Sequence, residues 1–228
     1  MTSEELDREP FAIKDCALIA IATGKRAQSL RELRDNLVTI HPGSIYYHFW
    51  GGLLRPKFDD PEYNNDFAVW VSRSLHDGQL AERLAVIDPT GFDDPEALRR
   101  ELIDVIEERL DELPWPTWAL PDHQFQFIRS EIVVFDTKRR IETPRSLVDV
   151  VPAMSGSSVF YHFIDARRRL PDRVDDIRAW LSGLGPEHEG LCALLAGVDP
   201  YFVTLPELRQ NLTNVFVSYF QEEVDESA

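Results

Sequence analysis

Two histidines stand in near-identical surroundings. His48 lies in Ser44-Ile45-Tyr46-Tyr47-His48-Phe49-Trp50 and His162 in Ser158-Val159-Phe160-Tyr161-His162-Phe163-Ile164. Imidazole titrates near neutrality, so a histidine beside a phenol can pass a proton or hold a ligand. On a helix, Ile45, His48 and Phe49 share a face, as do Val159, His162 and Phe163. A histidine on an apolar face is either a hydrogen-bonded core group or the lining of a pocket. Four arginines, Arg26, Arg31, Arg140 and Arg145, fall near helix starts, where guanidinium forks and free N–H groups together suit a phosphate or carboxylate. The competing reading is an ion pair along the helix, because Arg31 precedes Asp35 by four residues and Arg145 precedes Asp149 by four. With Asp66, these make one candidate ligand-binding set: Arg26, Arg31, Tyr47, His48, Asp66, Arg140, Arg145, Tyr161 and His162.

Other chemistries find less support. The histidines His41, His48, His76, His123, His162 and His188 show no i, i+4 pairing and there is no Cys-x-x-Cys, so no metal is expected. A Ser44–His48 dyad fails on roles, since Ser44 reads as a helix cap and no third group is seen to orient the ring. No Gly-x-Gly-x-x-Gly or phosphate loop occurs, and no cofactor is expected. Arg167-Arg168-Arg169 reads as a solvated face.

Stepping outward, the elements carrying these residues repeat. Adding 114 to positions Phe11 to Phe49 gives ten identities, among them Phe11/Phe125, Thr23/Thr137, Arg26/Arg140, Leu33/Leu147 and Tyr47/Tyr161, where average usage gives about two or three. The match resumes at Asp66/Asp176, Trp70/Trp180 and Leu98-Arg99/Leu208-Arg209. A long period present twice reads as a duplicated domain and not as a solenoid. Ser29 with Glu32, and Thr204 with Glu207, form capping boxes. Thr143 with Pro144 opens a further helix, and Ser44 and Ser158 read as caps of the helices that carry the histidines. Helices are expected over Asp66–Leu75, Gln79–Val86, Asp94–Glu112 and Thr204–Phe220. Phe11–Arg26 is ambiguous: its alanines favour helix, whereas Ile132-Val133-Val134-Phe135 in its counterpart favours strand, so a short strand is expected.

The Phe-x-Ile start, Thr23-Gly24-Lys25-Arg26-Ala27, the Ser-Leu-Arg-Glu-Leu helix, Ser-Ile-Tyr-Tyr-His-Phe and Asn65-Asp66-Phe67-Ala68-Val69-Trp70 together resemble a bacterial family of domains of unknown function. That resemblance implies membership and no mechanism. The second copy departs from it, with Lys138 for Gly24 and Asp175-Asp176-Ile177 for Asn65-Asp66-Phe67, which bears on whether a site of the first copy is present in the second.

The chain's 228 residues, 43% hydrophobic and 28% charged, suffice for one large or two small cores. A net charge of −16 argues against nucleic acid and against anionic membrane surfaces as partners. Two cysteines at non-equivalent positions and an acidic, polar start point to the cytoplasm. The expected fold is mainly α: two homologous helical modules from an internal duplication, each with a short strand or hairpin at its start. The expected order is a disordered stretch 1–10, module 11–112, a Pro/Trp-rich linker 113–124, module 125–220 and an acidic tail 221–228. The expected function is a cytosolic binding or regulatory protein whose ligand is a small anion or a protein partner. The alternatives are an enzyme with its site near Tyr47 and His48, and a scaffold self-associating through Trp115 and Trp118.

Overall fold

A computed structural model describes residues 9–55, 62–113 and 121–226, with side chains as far as residue 221. The linker tryptophans Trp115 and Trp118, the loop prolines Pro56 and Pro61 and the start as far as Arg8 lie outside the described residues.

Two strands, β1 (Phe11–Ala27) and β2 (Phe125–Ile141), each run for 17 residues and pair with one another in a two-stranded sheet. Thr23 Oγ1 donates to the Phe127 carbonyl at 2.7 Å, and Thr137 Oγ1 donates to the Ile13 carbonyl at 2.6 Å. The start of each strand thus lies beside the end of the other, and the pairing is antiparallel. Each strand is interrupted by a left-handed residue, Gly24 (φ 77°) and Lys138 (φ 63°). Glycine adopts this conformation freely and lysine does not. At Lys138 the Asp136 carboxylate accepts the residue's own N–H at 2.8 Å and holds the turn.

Helices make up most of the elements, as expected, but the expectation of two homologous helical modules from an internal duplication, each with a short strand or hairpin at its start, is corrected by this sheet. Its strands are long, and each pairs with the other half of the chain. Alanine-rich β1 is extended because its partner strand satisfies its backbone, which outweighs local helix propensity.

The remaining elements are α1 (Leu30–Thr39), α2 (Pro42–Leu54), α3 (Asp66–Leu75), α4 (Gly78–Ala85), α5 (Pro95–Glu112), α6 (Leu147–Val150), α7 (Gly156–Val159), a π-helix (Phe160–Asp165), α8 (Ala166–Arg169), α9 (Asp176–Leu184), α10 (Glu189–Ala196) and α11 (Leu205–Glu226). Two compact units cut across both strands. Unit 2, Leu18–Ile132, holds the second part of β1, α1 to α5 and the first part of β2. Unit 1 joins Met1–Ala17 to Val133–Ala228.

Within unit 2 the first residues of β2 form the centre of the core. Phe125 stacks on Phe67 at 5.2 Å and meets the edge of Trp70 at 5.6 Å, while Leu33, Phe49 and Leu102 are buried around them. Arg99 closes α1 from α5 by donating to the Leu37 and Ile40 carbonyls, the latter at 2.7 Å. Within unit 1 the first residues of β1 take that place. Phe11 lies 4.9 Å from the His162 ring and 5.5 Å from Trp180, over a core that includes Phe160, Phe163 and Phe216.

Helix starts follow the capping rules, with Ser29, Asn65, Asp77 and Asp94 each accepting a backbone N–H of the first turn. The expected caps Ser44 and Ser158 are corrected: α2 starts at Pro42 with His41 Nδ1 accepting from Gly43, and α7 is capped by Ser155. Thr143 stands before a short 3-10 turn, and its side chain caps no backbone N–H.

Candidate functional site

In unit 2, helix α2 presents Ser44 and His48, one turn apart, to a single strand residue. The Ile128 N–H donates to His48 Nε2 at 3.1 Å, and Ser44 Oγ donates to the Ile128 carbonyl at 2.7 Å. Two side chains therefore bond the strand edge as a neighbouring strand would. An N–H only donates, so Nε2 carries its lone pair and the ring proton is on Nδ1. That proton is donated to Asp66 Oδ2 at 2.9 Å. Arg55 closes the far side, donating to both Asp66 oxygens at 2.9 Å, with its guanidinium 5.2 Å from the Tyr47 ring centroid. Burial pushes the His48 pKa below its ordinary value against the opposing pull of Asp66. Burial raises that of Asp66, but the His48 hydrogen bond and Arg55 overcome it and hold the carboxyl below its usual range. The ring is neutral and the carboxylate charged.

Unit 1 builds the same arrangement around Lys14. The Lys14 N–H donates to His162 Nε2 at 2.9 Å, and His162 Nδ1 donates to Asp176 Oδ2 at 2.7 Å. Arg169 donates to Asp176 Oδ2 at 2.8 Å and lies 4.0 Å from the Tyr161 ring centroid. A second carboxylate, the buried Asp165, accepts from Arg169 Nε at 2.8 Å and from Arg168 Nη2 at 2.9 Å. Cys16, buried two residues after Lys14, donates Sγ–H to the Ser157 carbonyl at 3.4 Å. Burial pushes its thiol up to about 12, so it is no nucleophile at neutral pH.

Of the nine candidates, the structure brings Tyr47, His48 and Asp66 together in unit 2, and Tyr161 and His162 together in unit 1. The four arginines lie elsewhere. Arg26, Arg31, Arg140 and Arg145 are all exposed, and Arg140 is held by Asp136 in two bonds of 2.9 Å. The Asp35 carboxylate takes Arg34 Nε at 2.8 Å. Sequence reasoning missed Arg55 and Arg169, although continuing the 114-residue offset six positions beyond Phe49 pairs them. Reading Arg167-Arg168-Arg169 as solvated is corrected at Arg169, which bonds two carboxylates. Ile128 and Lys14 carry no sequence signal, since what is used is their backbone.

This geometry does mechanical work. Both ring nitrogens of both histidines are engaged, so neither ring is placed to relay a proton to a substrate. The third group judged missing from a Ser44–His48 dyad is present as Asp66, yet Ser44 faces a carbonyl and not the ring. Among the described residues no group of three or more His, Cys, Asp or Glu is arranged to hold a metal, and no helix is long and apolar enough to cross a membrane.

No curated protein matches the chain. A solved structure, OrfY from Thermoproteus tenax, is similar to it over 92% of this chain and 95% of that one, with 26% identity and a TM-score of 0.78. The model of a family of unknown function, DUF5752, matches residues 8–217, and the chain belongs to that family.

Proposed function

We propose that the protein is a binding or regulatory protein, and that its ligand is another protein. One observation carries this reading: the histidines and carboxylates with the spacing for chemistry are spent on holding strands. His48 and Asp66, like His162 and Asp176, form closed hydrogen-bond chains that end on a backbone N–H. The arginines that suggested a small-anion site are all exposed, and Arg140 is held by Asp136. What supports a macromolecular ligand is the apolar surface left on the strands, with Ile19, Val133, Val134 and Phe135 exposed.

A thermal-shift screen of the full chain against phosphorylated and carboxylated metabolites tests the reading. A ligand at a hundredfold excess over its Kd adds about 2.7 kcal/mol to stability, which such a screen resolves. The expected result is no shift. A shift abolished by Arg26→Ala or Arg140→Ala overturns the reading in favour of a metabolite site, and metabolite turnover lost in His48→Gln with the fold intact overturns it in favour of an enzyme.

A further inference from the structure

In unit 1, β2 begins with three exposed apolar residues. Val133 is 38%, Val134 42% and Phe135 51% exposed. Successive strand residues point to opposite faces, so three in a row means that both faces of β2 meet water here. Elsewhere the sheet edges are covered by side chains, at Ile128 by Ser44 and His48 and at Lys14 by His162. In a two-stranded sheet each strand keeps one edge that no third strand pairs, and a strand with apolar residues exposed on both faces is a template for a further strand.

The charges say what kind of strand. The two strands together hold seven basic and three acidic residues, a net of +4, in a chain whose net charge is −16. The sheet is the basic element of an acidic protein. Immediately after Phe135 come Asp136, Lys138, Arg139 and Arg140. Asp136 binds the Arg140 guanidinium and lies 3.4 Å from Lys138 Nζ. It also fixes the left-handed turn at Lys138. Arg139 is exposed, and its guanidinium has no ion partner among the described residues. An exposed aromatic followed by an uncommitted arginine is the composition of an interface centre.

We infer that β2 from Val133 to Arg140 is the docking surface of unit 1 and takes an acidic, apolar segment of a partner protein in extended form. The segment adds to the sheet edge through its backbone, sets apolar side chains against Val133, Val134 and Phe135, and brings a carboxylate to Arg139. A second copy of this chain is a poorer occupant, because each copy carries −16 and the two repel. The inference rests on the reading of the protein as one that binds proteins, and it assigns the surface and the partner's chemistry.

The test is fluorescence anisotropy of the full chain with a labelled peptide of alternating valine and glutamate, beside its valine/lysine counterpart. The acidic peptide binds and weakens with added salt, while the basic one does not bind. Arg139→Glu and Phe135→Ser, each with an unchanged melting curve, weaken acidic-peptide binding at least tenfold. Arg26→Glu, on β1 in unit 2, leaves it unchanged. The inference is overturned if the acidic peptide fails to bind, if both peptides bind equally, or if neither variant weakens binding. Sedimentation showing a dimer dispersed by Phe135→Ser overturns the choice of occupant in favour of a second copy. These outcomes are separate from a metabolite hit, which removes the broader reading instead.

Discussion

Helix α2 in unit 2 and the α7–π-helix–α8 run in unit 1 do the same work with different backbones. Each carries a Tyr-His pair and an arginine eight residues after the tyrosine. Each points the histidine at a strand N–H and an aspartate. Yet α2 is regular, and Phe160–Asp165 is a π-helix in which the Ala166 N–H reaches back five residues to Tyr161. One position inside the two runs differs in size. At Gly51 a Cβ would lie 3.0 Å from two carbons of the Tyr47 ring, so any other residue here obliges that ring to give by a few tenths of an ångström. The corresponding residue in unit 1 is Asp165, and there the helix widens by a residue. What unit 1 gains is a second buried carboxylate. Its Arg169 is held by Asp165 and Asp176 and is 27% exposed at the side chain, whereas Arg55 is held by Asp66 and is 46% exposed.

The sharpest way to break the pair is at the histidines. His48→Leu or His162→Leu leaves a part-buried strand N–H and an aspartate without the histidine, and each is expected to cost about 2–3 kcal/mol in urea unfolding. Labelling of Cys16 by a thiol reagent localises the loss. It accelerates in His162→Leu, whose strand carries Cys16, and far less in His48→Leu. Equal acceleration in both would show that the clamps are not separate.

The arginines test the asymmetry directly. Arg169→Ala strips Asp165 of one of its two arginines and is expected to cost about 3 kcal/mol. Arg55→Ala removes a more exposed pair and is expected to cost about 1 kcal/mol. Similar losses would mean that Asp165 adds nothing. Gly51→Ala forces a methyl group against Tyr47 and is expected to cost about 2 kcal/mol. A neutral result there would break the steric account of the π-helix.

Gly24 and Lys138 make a smaller comparison, with opposite signs. Gly24→Lys is expected to destabilise by about 1 kcal/mol, and Lys138→Gly to stabilise by less than about 1 kcal/mol, because only lysine is strained at positive φ. The gentlest probe is pH. Folded His48 resists protonation, so below about pH 6.5 the unfolded chain binds more protons and stability falls as pH falls. The depressed Asp66 pKa adds a second loss as pH drops through and below about 4. Urea midpoints measured from pH 7.5 down to 5.5 should decline, and His48→Gln should flatten that upper step.

Much of the helical content was legible because its signals are local. Ser29 with Glu32, the start expected at Asp66 and Asp94 before Pro95 mark starts that the structure keeps. Thr204 and Glu207 bond reciprocally, as a capping box does. The strands were legible only in part. Nothing within Phe11–Ala27 says that its backbone is satisfied by residues more than a hundred positions away, and its alanines point the other way. The site divided along the same line. His48 and Asp66 were named from side-chain type, but the purpose of the pair lies in the Ile128 N–H, which every residue except proline possesses. Ser44 was misread for a related reason. A serine near a helix start looks like a cap, and only the passing strand shows that it bonds elsewhere.

The route of the chain also has a consequence for synthesis. Lys14 meets His162 across 148 positions, and Ile128 meets His48 across 80. On a ribosome that releases the chain from its N-terminus, α1 to α5 emerge before the strand that completes their core. Residues 11–17 wait unpaired until residues 133–141 have left the exit tunnel. Contacts of such separation slow folding and prolong exposure of apolar strands. The nascent protein therefore needs the helices that follow β2 before the first part of β1 can settle, and loss of either segment should cost unit 1 its core.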